Sequence, residues 1–88
     1  MGFKLEISVK ARLDVQDAVN WYNAQVPNLG RKFTNDFRAV LRYIQKVPFS
    51  FRKLNASKRE APLKIFPYLI IYEIRGSKII VLGVFGCF

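Results

Sequence analysis

The sequence predicts an α+β fold in the order β-α-α-β-β-β, with an N-terminal helical hairpin packed on one face of a small antiparallel sheet. Three observations carry this. Residues 3–9 alternate apolar and polar side chains. Residues 11–47 hold two stretches of helical period joined by a short Pro/Gly link. Residues 66–75 and 78–85 are nearly continuous apolar runs separated by Gly76-Ser77.

FKLEISV, residues 3–9, reads as a half-buried strand. Phe3, Leu5, Ile7 and Val9 point one way, and Lys4, Glu6 and Ser8 the other. From residue 11 the period changes. Ala11, Val15, Ala18, Tyr22 and Val26 form a stripe widened by Val19, which predicts a helix over 11–26. Pro27 and Gly30 end it and make the connection. A second helix over 29–47 places Leu29, Phe33, Phe37, Val40, Leu41 and Ile44 on one face, with Arg31, Lys32, Asp36, Arg38, Arg42 and Lys46 mostly elsewhere. So short a link folds the two helices back on each other, and Pro48 stops the second. Residues 48–58 read as a loop carrying Arg52, Lys53 and Lys58. KREAPL reads as a short strand near the sheet edge, since Pro62 cannot donate to a ladder. The two apolar runs then form a hairpin about Gly76-Ser77. Their unbroken hydrophobicity marks strands covered on both faces or lying at the centre of a sheet.

The 88 residues, 1–88, read as one domain. A chain this short buries roughly 60–65% of its unfolded surface, so its core is modest. One cysteine, Cys87, excludes an internal disulfide and fits a reducing cytosol. No stretch reaches the roughly 18–20 apolar residues of a membrane span. Glu6 breaks the apolar region that a signal peptide needs, and MGFKLE is no acylation signal. The expectation is a soluble, cytoplasmic protein with no membrane partner. Fifteen basic residues against six acidic ones give +9, which suits an anionic partner such as nucleic acid or an acidic protein.

The absence of histidine removes the commonest general base and every imidazole-based triad. One cysteine and scattered carboxylates make no zinc site. Asp14 and Asp17 share a face but are too few for a hard cation, and read as favourable charges in a first helical turn. No phosphate-binding glycine loop is present, and no cofactor is expected. Cys87 does not read as a nucleophile. What remains is cation chemistry. From Arg31 to Arg59 there are nine basic residues and one acid, Asp36. Such a run can hold phosphates or an acidic peptide, or simply form a solvated face. Arginine and lysine could also stabilise the charge that develops in RNA cleavage. Phe49 and Phe51 lie among these residues and read as core-edge packing rather than base-stacking groups. Tyr68 and Tyr72 likewise read as packing residues.

ARLDVQDAVNWYNAQVPNLGRKFTNDF, a P-F-x-F-R segment, KREAPLKIFPYLIIYEI and KIIVLGVF together resemble the RelE/ParE superfamily of toxins from bacterial toxin–antitoxin pairs. The ParE-like branch, often labelled plasmid stabilisation proteins, is the nearest in pattern. The resemblance covers about residues 4 to 86. Its specific parts are Trp21, Tyr22, Pro27, Leu29 and Gly30, then Arg59, then Phe66, Pro67, Tyr68, Ile70 and Tyr72. It implies the same β-α-α-β-β-β fold and a cognate antitoxin, acidic in the part that wraps the sheet and helices. In relatives that segment covers apolar surface beside the sheet, so the free protein is expected to expose an apolar groove and to self-associate. The resemblance implies one of two activities. ParE-like members poison DNA gyrase by binding. RelE-like members cut mRNA on the ribosome, and their catalytic set would map onto Arg59, with Lys53, Lys58 and Lys64 as looser matches. Target or nucleic-acid binding would fall to Arg52, Lys53, Lys58 and Arg59. Relatives usually continue past the last strand with a histidine or lysine and then one or two arginines; this sequence reads Gly86-Cys87-Phe88 there, with no counterpart of the nuclease branch's C-terminal arginine. The expected function is therefore a toxin acting by binding, with gyrase the favoured target. A ribosome-dependent endoribonuclease and an inactive basic relative are the alternatives.

Overall fold

The first strand, β1 (Lys4–Ile7), is shorter than its alternation suggests, because Ser8 caps a helix instead of continuing it. The computed structural model describes residues 2–87. Met1 and Phe88, the last residue of the Gly86-Cys87-Phe88 terminus, lie outside the described residues. Ser8 Oγ accepts the Ala11 N–H at 3.1 Å and donates to Leu82 O at 3.2 Å. The Ser8 N–H donates to Val81 O at 3.0 Å. This cap supplies an acceptor for an otherwise orphaned helical donor. Val9, expected on the inner face of the strand, thus opens helix α1 (Val9–Gln25) and is 74% exposed.

Ala11, Ala18 and Tyr22 of α1 are buried as the stripe predicts, with Val15 and Val19 packed beside them. Val26 has left the helix as its extended C-cap and is exposed. Because α1 starts at Val9, Asp14 and Asp17 stand beyond the first turn, and the dipole reading of them fails. Asp14 has a tertiary role instead: its Oδ2 accepts the Val84 N–H at 2.9 Å and pairs with Lys10 at 2.7 Å.

Gly30 belongs to helix α2 (Leu29–Lys46), not to the link. Asn28, at φ 69°, makes the left-handed turn between the helices. Gly30 is there for close approach. Its N–H donates to Asn23 Oδ1 at 2.7 Å, and a Cβ would meet the Asn23 amide and Val19 at 2.8 Å. Phe33, Phe37, Val40, Leu41 and Ile44 are buried on one face of α2.

The sheet has the order β1-β5-β4-β3-β2. Its members after the helices are β2 (Arg52–Lys53), β3 (Lys58–Pro62), β4 (Tyr68–Arg75) and β5 (Lys78–Gly86). Four strands were expected, and the fifth is β2, inside the supposed loop. Asn55 Oδ1 accepts the N–H groups of Ser57 and Lys58, both at 3.0 Å, and closes the tight β2–β3 turn. This side-chain mimicry of a backbone turn carries no hydrophobic signal. The sheet is mixed rather than antiparallel throughout, because β1 pairs with β5 in parallel, Leu5 opposite Ile79 and Ile7 opposite Val81. The added reversal at β2 accounts for this. A helical hairpin returns the chain to the end of the sheet it left, and three alternations from β2 bring β5 back to the direction of β1. Pro62 closes β3, where its missing N–H costs no ladder bond. The β4–β5 hairpin turns at Gly76, φ 60°, and bulges so that Leu82 has no partner between Val81 and Gly83.

Both helices cover one sheet face through Phe33, Val40, Ile44, Ile70, Tyr72, Ile79 and Val81. At one end the signature aromatics interlock. Phe66 lies 4.8 Å from Tyr22 and 5.3 Å from Phe33, and Tyr68 lies 4.9 Å from Phe33, all edge to face. Asp36 sits on the buried face of α2, 4% exposed, against the expectation that it falls elsewhere. Its Oδ1 accepts the Lys64 N–H at 3.1 Å, and its Oδ2 accepts those of Ile65 at 2.9 Å and Phe66 at 3.0 Å. No helix among the described residues is long and apolar enough to cross a membrane.

Asp36→Ala should lower the unfolding free energy by roughly 3 kcal/mol or more, since three N–H donors lose their acceptor at about 1–3 kcal/mol each. Asp36→Asn, which keeps one acceptor oxygen, should fall between. Urea denaturation followed by circular dichroism measures this. An alanine variant as stable as the parent would show that the carboxylate contributes nothing.

Candidate functional site

The β2–β3 turn brings cations together because its strands carry them in register. Lys53 faces Arg59 across the ladder, and Arg52 faces Glu60. With Phe49, Asn55 and Ser57, residues Lys53, Lys58 and Arg59 line a cavity of about 250 Å³ at this corner of the sheet. Three of the four residues expected for a catalytic set therefore converge.

Arg59 is half-buried and committed. Its Nη1 donates to Phe51 O at 2.8 Å and to Phe49 O at 3.2 Å, and its guanidinium lies 5.4 Å from the centre of the Phe49 ring. It satisfies carbonyls of the segment leaving α2 that the ladder does not reach. Beside it in register is Tyr72, fully buried, whose hydroxyl donates to Pro48 O at 2.6 Å. Burial pushes the Tyr72 phenol up to about 12, against the pull of the Arg59 charge. Phe51 packs edge-on against Tyr43 and Tyr72, as expected for a core-edge residue. Phe49 is exposed, held only between Phe3 and the Arg59 guanidinium.

Lys53 and Lys58 are exposed, and their ammonium groups make no hydrogen bond or ion pair among the described residues. Arg52 is paired with Glu60 at 3.2 Å but is itself largely exposed, so the pair adds little stability. Lys64 does not join the cluster. It lies in the 63–67 connection, its N–H bound by Asp36, and it lines a different cavity with Lys32, Asn35 and Ile65. Its ammonium sits 5.9 Å from the centre of the Tyr43 ring. The carboxylates nearest the corner are engaged: Glu60 with Arg52, and Glu73 with Arg75 at 3.2 Å. The corner can therefore neutralise and hold an anion, with two free ammonium groups and one fixed guanidinium.

Two anchoring residues escaped the sequence reading. Asp36 had a signal, since it follows Phe33 by three and precedes Phe37 and Val40 on the same stripe. Asp14 had none, because its partner is a backbone amide 70 residues away.

A helical hairpin on one face of a five-stranded mixed sheet is shared with solved structures. A chain of a structure described as the chromosomal ParDE TA system from P. aeruginosa superposes with a TM-score of 0.86 at 18% identity. The match covers 98% of this chain and 97% of that one. At this identity the likeness speaks for the fold. No curated protein matches the sequence. The model of the family described as ParE toxin of type II toxin–antitoxin system, parDE, matches residues 5–86, and the chain belongs to that family.

Two outcomes test the division of labour at this corner. Arg59→Ala should lower the melting temperature, because two carbonyls lose their donor, while Lys53→Ala and Lys58→Ala leave it unchanged; equal melting for all three would deny Arg59 its structural role. Alkaline pH gives the second. Tyr72 ionises at about pH 10 when unfolded and about 12 when folded, so stability is intact below 10 and falls as pH rises across that window. Tyr72→Phe should reduce the decline. Tyr68, also raised by burial and then by Tyr22, leaves a residual slope. A wild-type stability flat from pH 10 to 12 would contradict the shift.

Proposed function

We propose that this ParE-family toxin acts by binding its target, with DNA gyrase favoured, and is neutralised by a cognate antitoxin that is acidic in its toxin-wrapping part. It works in the cytoplasm, and such a pair would serve plasmid stabilisation. The observation that supports binding over cleavage is the state of the expected catalytic set. Arg59 is spent on the Phe49 and Phe51 carbonyls, and Lys64 lines a separate cavity. A cleaving site needs its cations fixed and aimed together at the developing charge, whereas a binding surface needs only exposed ones. Lys53 and Lys58 are such residues, with Arg52 beside them.

The second reading, ribosome-dependent mRNA cleavage, draws on the same corner. A phosphate between Lys53 and Lys58 would lie near the Arg59 guanidinium. Induced expression of the chain alone in a bacterial host separates the two when RNA integrity and DNA supercoiling are read from one culture. The expected outcome is growth arrest with intact RNA and broken or relaxed DNA. Lys53→Glu combined with Lys58→Glu should relieve the arrest while the protein stays folded. Site-specific mRNA cuts abolished by the double reversal would overturn the binding reading. Undisturbed growth at confirmed soluble expression would overturn the toxin reading.

A further inference from the structure

The chain carries six acidic residues, and five of them have partners within the fold. Glu6 pairs with Lys78, Asp14 with Lys10, Glu60 with Arg52 and Glu73 with Arg75. Asp36 is saturated by backbone amides. Asp17 alone makes no hydrogen bond or ion pair among the described residues, on a molecule with fifteen cations to offer it.

Asp17 borders a groove of about 480 Å³ between α1 and the open end of the β4–β5 pair, which carries Tyr68 and Val84; Asp14, Ala18 and Trp21 complete its wall. Trp21 is 55% exposed, its ring perpendicular to that of Tyr22 at 5.1 Å, so much of the indole remains open to a partner. Along the outer side of α1, Val9, Leu13 and Trp21 are exposed at steps of four and eight, and Asp17 occupies the step between them. Trp21 thus brings exposed aromatic surface to the groove, with Leu13 one turn beyond the exposed Asp17 on the same side of the helix. The Asp17 carboxylate would be left without a partner if an apolar or acidic segment covered it, and such burial is costly.

We propose that this groove seats an apolar segment of a partner protein that presents one arginine or lysine to Asp17, with the cationic group lying over the exposed indole of Trp21. An ammonium or guanidinium there gains the carboxylate and the aromatic quadrupole together. Elsewhere on a +9 surface a cation is repelled, so the single basic residue fixes the register of a partner whose other charges are acidic. The proposal rests on the toxin–antitoxin reading for the partner's identity, the antitoxin, but not for the chemistry of the seat.

The probe is a displayed library of random peptides, selected in parallel on the folded wild-type chain, on Asp17→Asn and on Asp17→Lys. The wild type should enrich apolar peptides with one arginine or lysine; Asp17→Asn should relax that requirement and Asp17→Lys should lose it. Replacing the base of a selected peptide by norleucine should weaken binding to the wild type by about fivefold and binding to Asp17→Asn by less, since only the Trp21 contact is then lost. Enrichment of acidic peptides alone, of the same peptides on all three proteins, or of none would overturn the proposal. So would a wild-type dimer that Asp17→Lys dissociates, since the occupant would then be a second copy of this chain. The growth-arrest experiment fails or succeeds independently, so a lost toxin reading would leave the peptide result standing.

Discussion

The carboxylate of Asp36 is the contact on which the arrangement of the sheet depends. It joins the buried face of α2 to the three consecutive amides of residues 64–66, where the chain leaves β3 and must turn into β4. No ladder reaches those amides, and without an acceptor this turn would be the weakest part of the core. With it, Phe66 is delivered onto Tyr22 and Phe33, and the next residues enter β4 with Ile70 and Tyr72 facing inward. One charged residue in an apolar stripe thus sets how the hairpin lies against the helices.

The elements whose signal is periodic were legible in the sequence. Both helices, the first strand and the central hairpin follow from apolar spacing, because burying one face is what makes these segments order. The features that escaped depend on polar atoms. Ser8 turned a strand into a cap and moved Val9 outward. Asn55 made a strand pair out of a loop. Asp36 and Asp14 bind backbone amides far away in sequence. Composition foretold the cationic corner, but not the separation of Lys64 from it. That separation follows from the Asp36 contact, which pins the Lys64 backbone against α2.

Two surfaces of opposite character result. The β2–β3 corner offers free ammonium groups around a guanidinium already fixed by carbonyls. The α1 groove offers aromatic and aliphatic surface beside Asp17. The two lie on separate parts of the fold, one at the edge of the sheet and one along α1.

The parallel β1–β5 pair has a consequence for timing. Residues 4–7 find their partners only at 78–81, and β5 fills the gap between β1 and β4. Contacts so distant in sequence close slowly, because the loop entropy must be met before they reward it. On the ribosome, α1 and α2 form while their floor is still missing, and β5 completes it late. The groove of Asp17 and Trp21 shares its wall with Val84 of that strand. A nascent chain therefore lacks this groove until β5 has emerged, and a partner of the kind proposed would find only molecules whose sheet is complete.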